Sequence, residues 1–551
     1  MILNGSQILA EVLIENGVDT VFGYPGGAVL NIYDALYQYK DKIKHYMTAH
    51  EQGAAHAADG YARATGKCGV VIATSGPGAT NLVTGIATAY MDSVPMVAIT
   101  GNVSVDLIGK DSFQEVYISG ITMPITKHNF TVRKIEDLAD TLRHAFEIAQ
   151  SGRPGPVLVD IPKDISGALT EYTPKAPKER ETICSDFDAK KIADLINSAS
   201  KPIAYIGGGV KISEAEAEIL EFLKAANIPA VHTIMAAGVL RYDEPLNLGL
   251  VGMHGNYVCN RAIDRSDLVI AIGTRFSDRV ALKPDHFAPK AKIIQIDIDK
   301  SEIKKNVNVN LSVISDVKAA LKKINPLLKY SERAEWFEKL EKWQGVVPDL
   351  KDEDDSLRPQ YVIKTLCRAV GESATFVTDV GQHQMWAAQY LNHVDSHKFL
   401  TSGGLGTMGY GYGAAIGAAI ANPDSQVIHL TGDGSFHMNM NEACTAVSYN
   451  VPVISIIFNN AVLGMVRQWQ KTFYGERYSS SEPERVTDYA RVAEGFGAIG
   501  FSCSTKAEFE SALDKALKSG KPCWIECKID REEKVLPMIP AGKSVDDIIV
   551  N

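Results

Sequence analysis

The sequence predicts an α/β protein of three doubly wound parallel-sheet domains followed by a C-terminal tail, and three observations predict it. Short apolar runs end in Gly, Asp or Pro and give way to longer segments with helical periodicity, as at 69–75, 94–101 and 156–162, which is the grammar of βαβ units. The runs are apolar on both faces, as strands of a parallel sheet covered by helices on each side must be. The same pattern then restarts twice, at 201–209, 267–274 and 292–299, and at 374–381, 426–434 and 451–460.

At 551 residues the chain is too long for one core. The restarts place domains at 1–175, 185–345 and 358–530, with the tail at 531–551. The joins are polar. Residues 172–181 carry Pro174 and Pro177 among charges and read as an exposed crossing, whereas 329–358 is strongly charged, with a helix about 336–343, before the restart at Pro359. The tail contains Pro537, Pro540 and Gly542; it reads as a frayed end or as a lid over the third domain, and composition does not choose.

Apolar residues make up 45% and charged residues 22%, ordinary values for a globular protein with large buried sheets. The formal charge of -10 gives no attraction for nucleic acid or anionic lipid. The run 451–458 spans about half of a bilayer crossing, and the N-terminus lacks a basic region followed by an apolar one, so the expectation is a cytoplasmic protein, or an organellar one without its transit peptide. Eight cysteines without CxxC pairs read as reduced, structural thiols. Cys523 and Cys527 share one face of a strand but stand too far apart for an easy bridge.

The strand predicted at 426–430 runs into Thr431-Gly432-Asp433-Gly434-Ser435, and the next apolar strand ends at Asn459-Asn460. Adjacent parallel strands present their C-terminal ends side by side, so Asp433 and Asn460 converge. A carboxylate and an amide carbonyl are hard oxygen ligands, suited to Mg²⁺ bridging two phosphates rather than to Zn²⁺. Gly432 and Gly434 let the backbone approach a diphosphate, and a helix starting near Asn439 offers its N-terminal dipole. Gly-Asp-Gly alone is more often a tight turn; the Asn pair beyond an intervening helix and strand makes it a diphosphate site. The spacing resembles the thiamine diphosphate (ThDP, thiamine pyrophosphate) motif, which implies the backbone carbonyl of Val462 as a third metal ligand.

Nearer the N-terminus, residues 48–54 open an Ala-rich helix that runs through Ala64. His50-Glu51 invites a zinc-protease reading, which fails because Ala54 stands where HExxH needs His and His56 lies on another helical face. Thiamine chemistry needs one acid against the aminopyrimidine ring, so that the ring's imino form takes the C2 proton. Glu51 is the candidate. A lone Glu at a helix start is otherwise a partner of the helix dipole, and the Asp433 to Asn460 pattern is what favours the catalytic role.

With these pieces in place the chain resembles, over nearly its whole length, the catalytic large subunits of the acetohydroxyacid synthase (acetolactate synthase) family. Residues 22–27 (FGYPGG), 50–54 (HEQGA) and 75–81 (SGPGATN) are common to many ThDP enzymes, while Phe113-Gln114-Glu115, 463–470 (LGMVRQWQ) and 538–542 (MIPAG) are narrower, beside 381–386 (GQHQMW). The resemblance implies the ThDP-enzyme fold: an aminopyrimidine-binding domain at 1–175, an FAD-binding one at 185–345 and a diphosphate-binding one at 358–530. It implies that Gln382, His383, Asp433, Gly434, Ser435 and Asn460 hold the diphosphate and Mg²⁺. Gly406 would accept from the cofactor's amino group, Met408 would support its bent shape, and Met465 and Asp278 would fit the cleft. Glu51 would act on cofactor held by the third domain of another subunit, which requires a homodimer or homotetramer; Phe113, Gln114 and Lys163 would line that neighbouring cleft. Arg279 would engage an oxo acid carboxylate bidentately, and Trp469 would favour a slightly larger side chain by contact area.

The central domain would bind FAD, which the family requires without a net redox step, through Arg153, Gly207, Gly208, Gly209, Thr233, Met253, His254, Gly255, Gly273, Thr274, Arg275, Asp297, Ile298, Asp316 and Val317. From the residues alone, three glycines after a strand fit any nucleotide or a plain turn equally. Ser104 and Ser112 stand where Pro and Ala are expected in many relatives, Met123 where Arg is usual, and Tyr412-Gly413 where Leu-Pro is common; these departures are expected to bear on the access channel and inhibitor sensitivity.

The activity so implied is a ThDP-dependent carboligase: pyruvate loses CO₂ and its two-carbon unit joins a second pyruvate to give 2-acetolactate, or 2-oxobutyrate to give 2-aceto-2-hydroxybutyrate. These are entry steps to valine, leucine and isoleucine, and the family implies a separate small regulatory subunit. An FAD-linked pyruvate oxidase, a 2-oxo acid decarboxylase, a flavin-free catabolic synthase and a catalytically silent relative are the rivals. Intact Glu51, Asp433 and Asn460 argue against the last.

Overall fold

A computed structural model describes residues 1–178, 182–346 and 354–550. The predicted apolar runs all form strands, in three sheets of six. Across the first sheet the order is Lys44–Met47, Thr20–Tyr24, Gly69–Ala73, Met96–Asn102, Pro156–Pro162 and His128–Thr131, all parallel. The third sheet repeats this winding with Phe399–Thr401, Thr375–Thr378, Val427–Gly432, Val453–Asn459, Cys523–Lys528 and Ile499–Cys503. The middle sheet follows another order: Asn247–Leu250, Ala230–His232, Pro202–Ile206, Leu268–Ile272, Lys292–Asp297 and Leu311–Ile314. Central strands such as Leu268–Ile272 are buried along their full length, which is why they are rich in Val and Ile and lack polar alternation.

The chain separates into two compact units. One comprises Met1–Glu181, Ser373–His383 and Leu400–Arg531 and holds the first and third sheets; the other comprises Thr182–Glu372, Gln384–Phe399 and Glu532–Asn551 and holds the middle sheet. The second join contains the expected helix, Ala334–Gln344; parts of both joins, 179–181 and 347–353, lie outside the described residues.

In the second unit the tail is docked rather than frayed. Val535, Met538 and Ile539 are buried, and the Ile539 amide donates to the Met253 carbonyl (2.8 Å). Trp386 Nε1 donates to Lys534 O (3.2 Å) and Gln389 Nε2 to Leu536 O (3.2 Å). Asp546 pairs with Arg261 and Arg265.

In the first unit the Glu51–Thr65 helix crosses the Tyr410–Ala421 helix at a distance only glycine permits. A Cβ on Gly60 would sit 2.1 Å from Ala414 O, and one on Gly417 would sit 1.9 Å from Ala57 O. Tyr412 and Gly413 belong to this crossing. Tyr412 is buried and its hydroxyl accepts from Trp524 Nε1 (3.0 Å), while a Cβ on Gly413 would meet Gly53 O at 2.8 Å. The expectation that these two departures bear on an access channel is therefore corrected: they fit the helix to its neighbour. Large aromatic and absent side chain are complementary, the one filling core volume and the other admitting backbone.

The same helix start is clasped by a buried acid from the third sheet's connections. Glu442 accepts from the amides of Ala49 and His50 (both 3.1 Å) and from Thr445 Oγ1 (2.6 Å). Its Oε1 fills the space where Gly53 would carry a Cβ, 2.0 Å away. Burial pushes the Glu442 carboxyl up to about 7, against the hydrogen bonds it accepts.

Two outcomes follow from this packing. Gly417→Ala should lower the unfolding free energy by about 1–3 kcal/mol, since the backbones must separate; urea unfolding checks it as a lower midpoint at unchanged slope. Because the Glu442 pKa is raised on folding, its stabilising share is full below the ordinary carboxylate range and is lost as pH rises through about 7. Glu442→Gln should remove that slope, on the order of 1–3 kcal/mol between pH 5 and 8, in unfolding curves taken across the range.

Candidate active site

The strands Val427–Gly432 and Val453–Asn459 pair in parallel with Gly432 opposite Phe458. One step past that pair, the chain leaves the sheet at Asp433 and at Asn459-Asn460, on the same edge. The helix expected near Asn439 instead begins at Asp433 and ends at Asn439, with Gly432 as its N-cap. An acid in the first turn suits the positive end of the helix, and Asn439 Nδ2 donates to Gly409 O (2.7 Å) at the other end. The helix start thus lies at the metal motif itself, where its unpaired amides serve an anion.

The two asparagines divide their work. Asn459 Oδ1 accepts from the Ala461 amide (3.0 Å), and Ala461 takes a φ of +57°, so Asn459 builds the turn. Asn460 Oδ1 accepts from the Val462 amide (3.2 Å), and its Nδ2 donates to Gln382 Oε1 (3.1 Å). Gln382 Nε2 in turn donates to Gln468 Oε1 (3.1 Å). Ser435 Oγ donates to Val380 O (2.9 Å).

These residues fit the metal and diphosphate. Burial pushes the Asp433 carboxyl up to about 6, a shift that a cation beside it would oppose. Asp433, the Asn460 amide oxygen and the Val462 carbonyl are hard oxygen donors, a set whose chemistry suits Mg²⁺. His383 Nε2 is buried without a partner, and burial drives its ring down to about 4, leaving it neutral beside Gly432, whose Cβ would lie 2.9 Å from Nδ1. A Cβ on Gly434 would press on the tip of the Leu463 side chain, 2.8 Å from Cδ2, and lie 3.8 Å from Met408 Cε. Met408 is therefore at the diphosphate turn, and Gly406, with φ +72°, shapes the segment before it.

Glu51 opens its helix behind the N-cap His50, whose ring accepts from the Gln52 amide (3.1 Å). It is 8% exposed. Asn81 Nδ2 donates to its Oε2 (2.9 Å), and Oε1 faces Gly78, where a Cβ would approach to 3.2 Å. In the same unit Phe113 is 88% exposed, Gln114 is exposed with φ +59°, and Lys163 is exposed. Gly76 could not carry a Cβ, which would lie 2.8 Å from Gln114 O. Met465 and Trp469 are half-buried on the Gly464–Phe473 helix, Trp469 edge-on to Phe473 at 5.4 Å. Arg153 Nε donates to Ser93 Oγ (2.7 Å).

In the second unit, Arg279 is exposed, with Nη1 3.6 Å from Met253 Sδ and Nε 3.7 Å from Asp278. The residues expected to hold a nucleotide, Arg153 apart, lie at or follow the C-terminal ends of the middle sheet's strands. Gly207 and Gly209 pack against Gly273, their Cβ atoms falling 2.2 Å from its O and 2.7 Å from its Cα. A Cβ on Gly255 would meet the Gly252 amide at 2.6 Å. Thr233 Oγ1 and His254 Nδ1 are buried without partners, polar atoms a bound group would satisfy. Asp316 is otherwise engaged: it caps the Val317–Ile324 helix through the Ala319 amide (3.0 Å) and accepts from Ser213 Oγ. Asp297 Oδ1 accepts from the Asp299 amide (2.9 Å).

Asn81, Gln468 and Glu442 were given no role from the sequence. Asn81 and Gln468 stand inside the 75–81 and 463–470 motifs; Glu442 stands in none, and the backbone amides it accepts from lie 393 and 392 residues away.

Comparison with known proteins agrees with this geometry. Residues 3–121, 189–324 and 379–527 match, in turn, the N-terminal TPP binding domain, central domain and C-terminal TPP binding domain of thiamine pyrophosphate enzymes. The acetolactate synthase of Mycobacterium bovis is 45% identical over 99% of this chain and 91% of its own length. The probable acetolactate synthase large subunit of Methanocaldococcus jannaschii is 43% identical over 99% and 95%, and the acetolactate synthase large subunit of Cyanidium caldarium is 44% identical over 99% and 96%. Asp433 and Asn460 on one sheet edge, the held acid Glu51 and this similarity along the whole chain agree: the chain belongs to the acetolactate synthase family of thiamine pyrophosphate enzymes.

Proposed function

We propose that the chain joins the two-carbon unit of pyruvate to a second 2-oxo acid, giving 2-acetolactate from pyruvate or 2-aceto-2-hydroxybutyrate from 2-oxobutyrate, with ThDP, Mg²⁺ and FAD bound. The observation that carries this reading is the register that delivers Asp433 and Asn460 to one edge beside a neutral, unpartnered His383. When bound, ThDP supplies the electron sink that makes loss of CO₂ from a 2-oxo acid feasible.

The chain's own residues do the rest. Asp433, Asn460 and the Val462 carbonyl hold Mg²⁺; the amides at Gly434 and Ser435, with Gln382 and His383, hold the diphosphate. Gly406, Met408 and Met465 orient the rings. Asn81 occupies Glu51 Oε2, so Oε1 is the oxygen that gives and takes the proton at the aminopyrimidine nitrogen. Glu51 serves a cofactor held by a partner subunit, as do Phe113, Gln114 and Lys163, and the 88% exposure of the Phe113 ring supports a partner covering that loop. Arg279, beside Asp278, binds the carboxylate of the acceptor through a two-point contact that Lys would not reproduce. Trp469 forms the wall against the acceptor's side chain; one further methylene buried there favours 2-oxobutyrate by about 0.8 kcal/mol. In the net reaction one carbon–carbon bond breaks to release CO₂, one forms to the acceptor's carbonyl carbon, and the acceptor oxygen takes a proton.

Arg153, the Gly207 to Gly209 turn, Thr233, Met253, His254, Gly255, Gly273, Thr274, Arg275, Asp297 and Ile298 hold FAD, with Thr233 Oγ1 and His254 Nδ1 unsatisfied until it binds; Asp316 and Val317 contribute as the start of a helix. The active assembly is a homodimer or a homotetramer in the cytoplasm, joined by a small regulatory subunit. No helix among the described residues is long and apolar enough to cross a membrane.

Purified chain given pyruvate, ThDP, Mg²⁺ and FAD should form 2-acetolactate; acetate with flavin reduction, or free acetaldehyde, as the main product would refute carboligation. Glu51→Gln should reduce turnover at least about a hundredfold while ThDP binding, followed by calorimetry, and melting temperature hold; wild-type turnover would remove Glu51 from the mechanism. Trp469→Leu should lower the preference for 2-oxobutyrate over pyruvate several-fold in competition assays, with little change in the rate on pyruvate alone.

A further inference from the structure

The segment 401–410, which carries Gly406 and Met408, is tied to the first sheet's helices at four places. Arg63 Nη1 donates to Thr401 O (2.9 Å). Asp92 accepts from the amides of Gly403 (3.2 Å) and Gly404 (2.7 Å), and a Cβ on Gly404 would strike Asp92 Oδ1 at 2.7 Å. Thr88 Oγ1 meets Thr407 Oγ1 at 2.7 Å, and Tyr410 OH donates to Asp59 Oδ1 (2.7 Å). Arg63 joins the two acids, donating to Asp59 (2.6 Å) and to Asp92 (2.8 Å).

All three charged side chains are nearly inaccessible, at 7%, 0% and 1% exposure for Arg63, Asp59 and Asp92. Two carboxylates share one guanidinium. Such a buried cluster is a poor way to gain stability, because desolvation offsets the attraction, and a hydrophobic replacement does as well. It does set backbone position, since each oxygen is aimed at a particular amide.

We propose that Asp92 is a positioning residue for ThDP: through the Gly403 and Gly404 amides it holds the Gly406 to Met408 segment at the height where that segment meets the cofactor's rings. The inference rests on the reading that Gly406 and Met408 face those rings. The first domain then has two tasks, lending Glu51 to a partner's cofactor and bracing the cofactor segment of its own chain. Asp92 bonds to none of Gln382, His383, Asp433, Gly434, Ser435 and Asn460, and through Gly403 and Gly404 it acts first on the ring end.

Calorimetry on the full chain with Mg²⁺ separates the two ends of the cofactor, with ThDP as one probe and inorganic diphosphate as the other. Asp92→Asn should weaken ThDP about tenfold, and the isosteric Thr88→Val about threefold, while inorganic diphosphate changes less than about twofold in either. Asp92→Glu, which keeps the charge but shifts its reach, should fall between Asp92→Asn and the unaltered chain. ThDP affinity unchanged in both Asp92→Asn and Thr88→Val overturns the proposal, and so does equal weakening of both probes, which marks a merely structural role. Asp433→Ala should lose both probes; if it keeps them, the metal-site reading fails and this inference with it.

Discussion

The Glu51–Thr65 and Tyr410–Ala421 helices touch backbone to backbone, and the placement of two candidate site segments, the start of the first helix and the approach to the second, depends on that contact. Close approach of two helices requires small residues at the crossing, since interaxial distance follows the side chains between them. Here Gly60 and Gly417 meet carbonyl oxygens directly. The helix that starts with Glu51 is thereby fixed against the helix that follows Gly406 and Met408. Any side chain at the crossing would move Glu51 relative to the segment that carries Gly406 and Met408.

Around this contact the polar groups are spent on position. Glu442 takes the two amides ahead of Glu51, Asn81 takes one of its oxygens, and Asp92 takes the two amides ahead of Gly406. Glu442 and the Asp92 carboxylate are buried and Asn81 is half-buried, and each bonds to backbone or to a side chain of matching geometry. Inside a low-dielectric core such bonds tolerate little displacement, because an unmatched partner costs more than the bond contributes. Asp433 differs in kind: burial opposes its charge, so its carboxylate is placed against its own desolvation rather than matched by a neighbouring donor.

The middle sheet obeys a different logic. Its glycines at 207, 209 and 273 bring two strand-end loops into direct contact, and the unsatisfied Thr233 and His254 atoms lie at positions the resemblance assigns to the flavin. The tail joins this unit through Met253 and buried Ile539, so a proline-bearing terminus that composition leaves open becomes part of the packing.

What the sequence determined by itself was whatever repeats with a period or sits at a fixed offset. Apolar runs and their restarts specified three parallel sheets, because burial on both faces leaves no polar alternation. The offset from Asp433 to Asn460 specified that the two residues share one sheet edge, because register carries spacing along the chain into proximity in space. Contacts between distant segments have no such ruler. The helix at Asp433 was expected six residues late, at Asn439, since a glycine-bounded motif looks like a turn until its cap is seen. Tyr412-Gly413 looked like a departure near a channel and is a packing pair with Trp524 and Gly53. Glu442 and Asp92 were invisible, because each bonds to main-chain amides, which every residue has, and only the tertiary structure decides which amides come within reach.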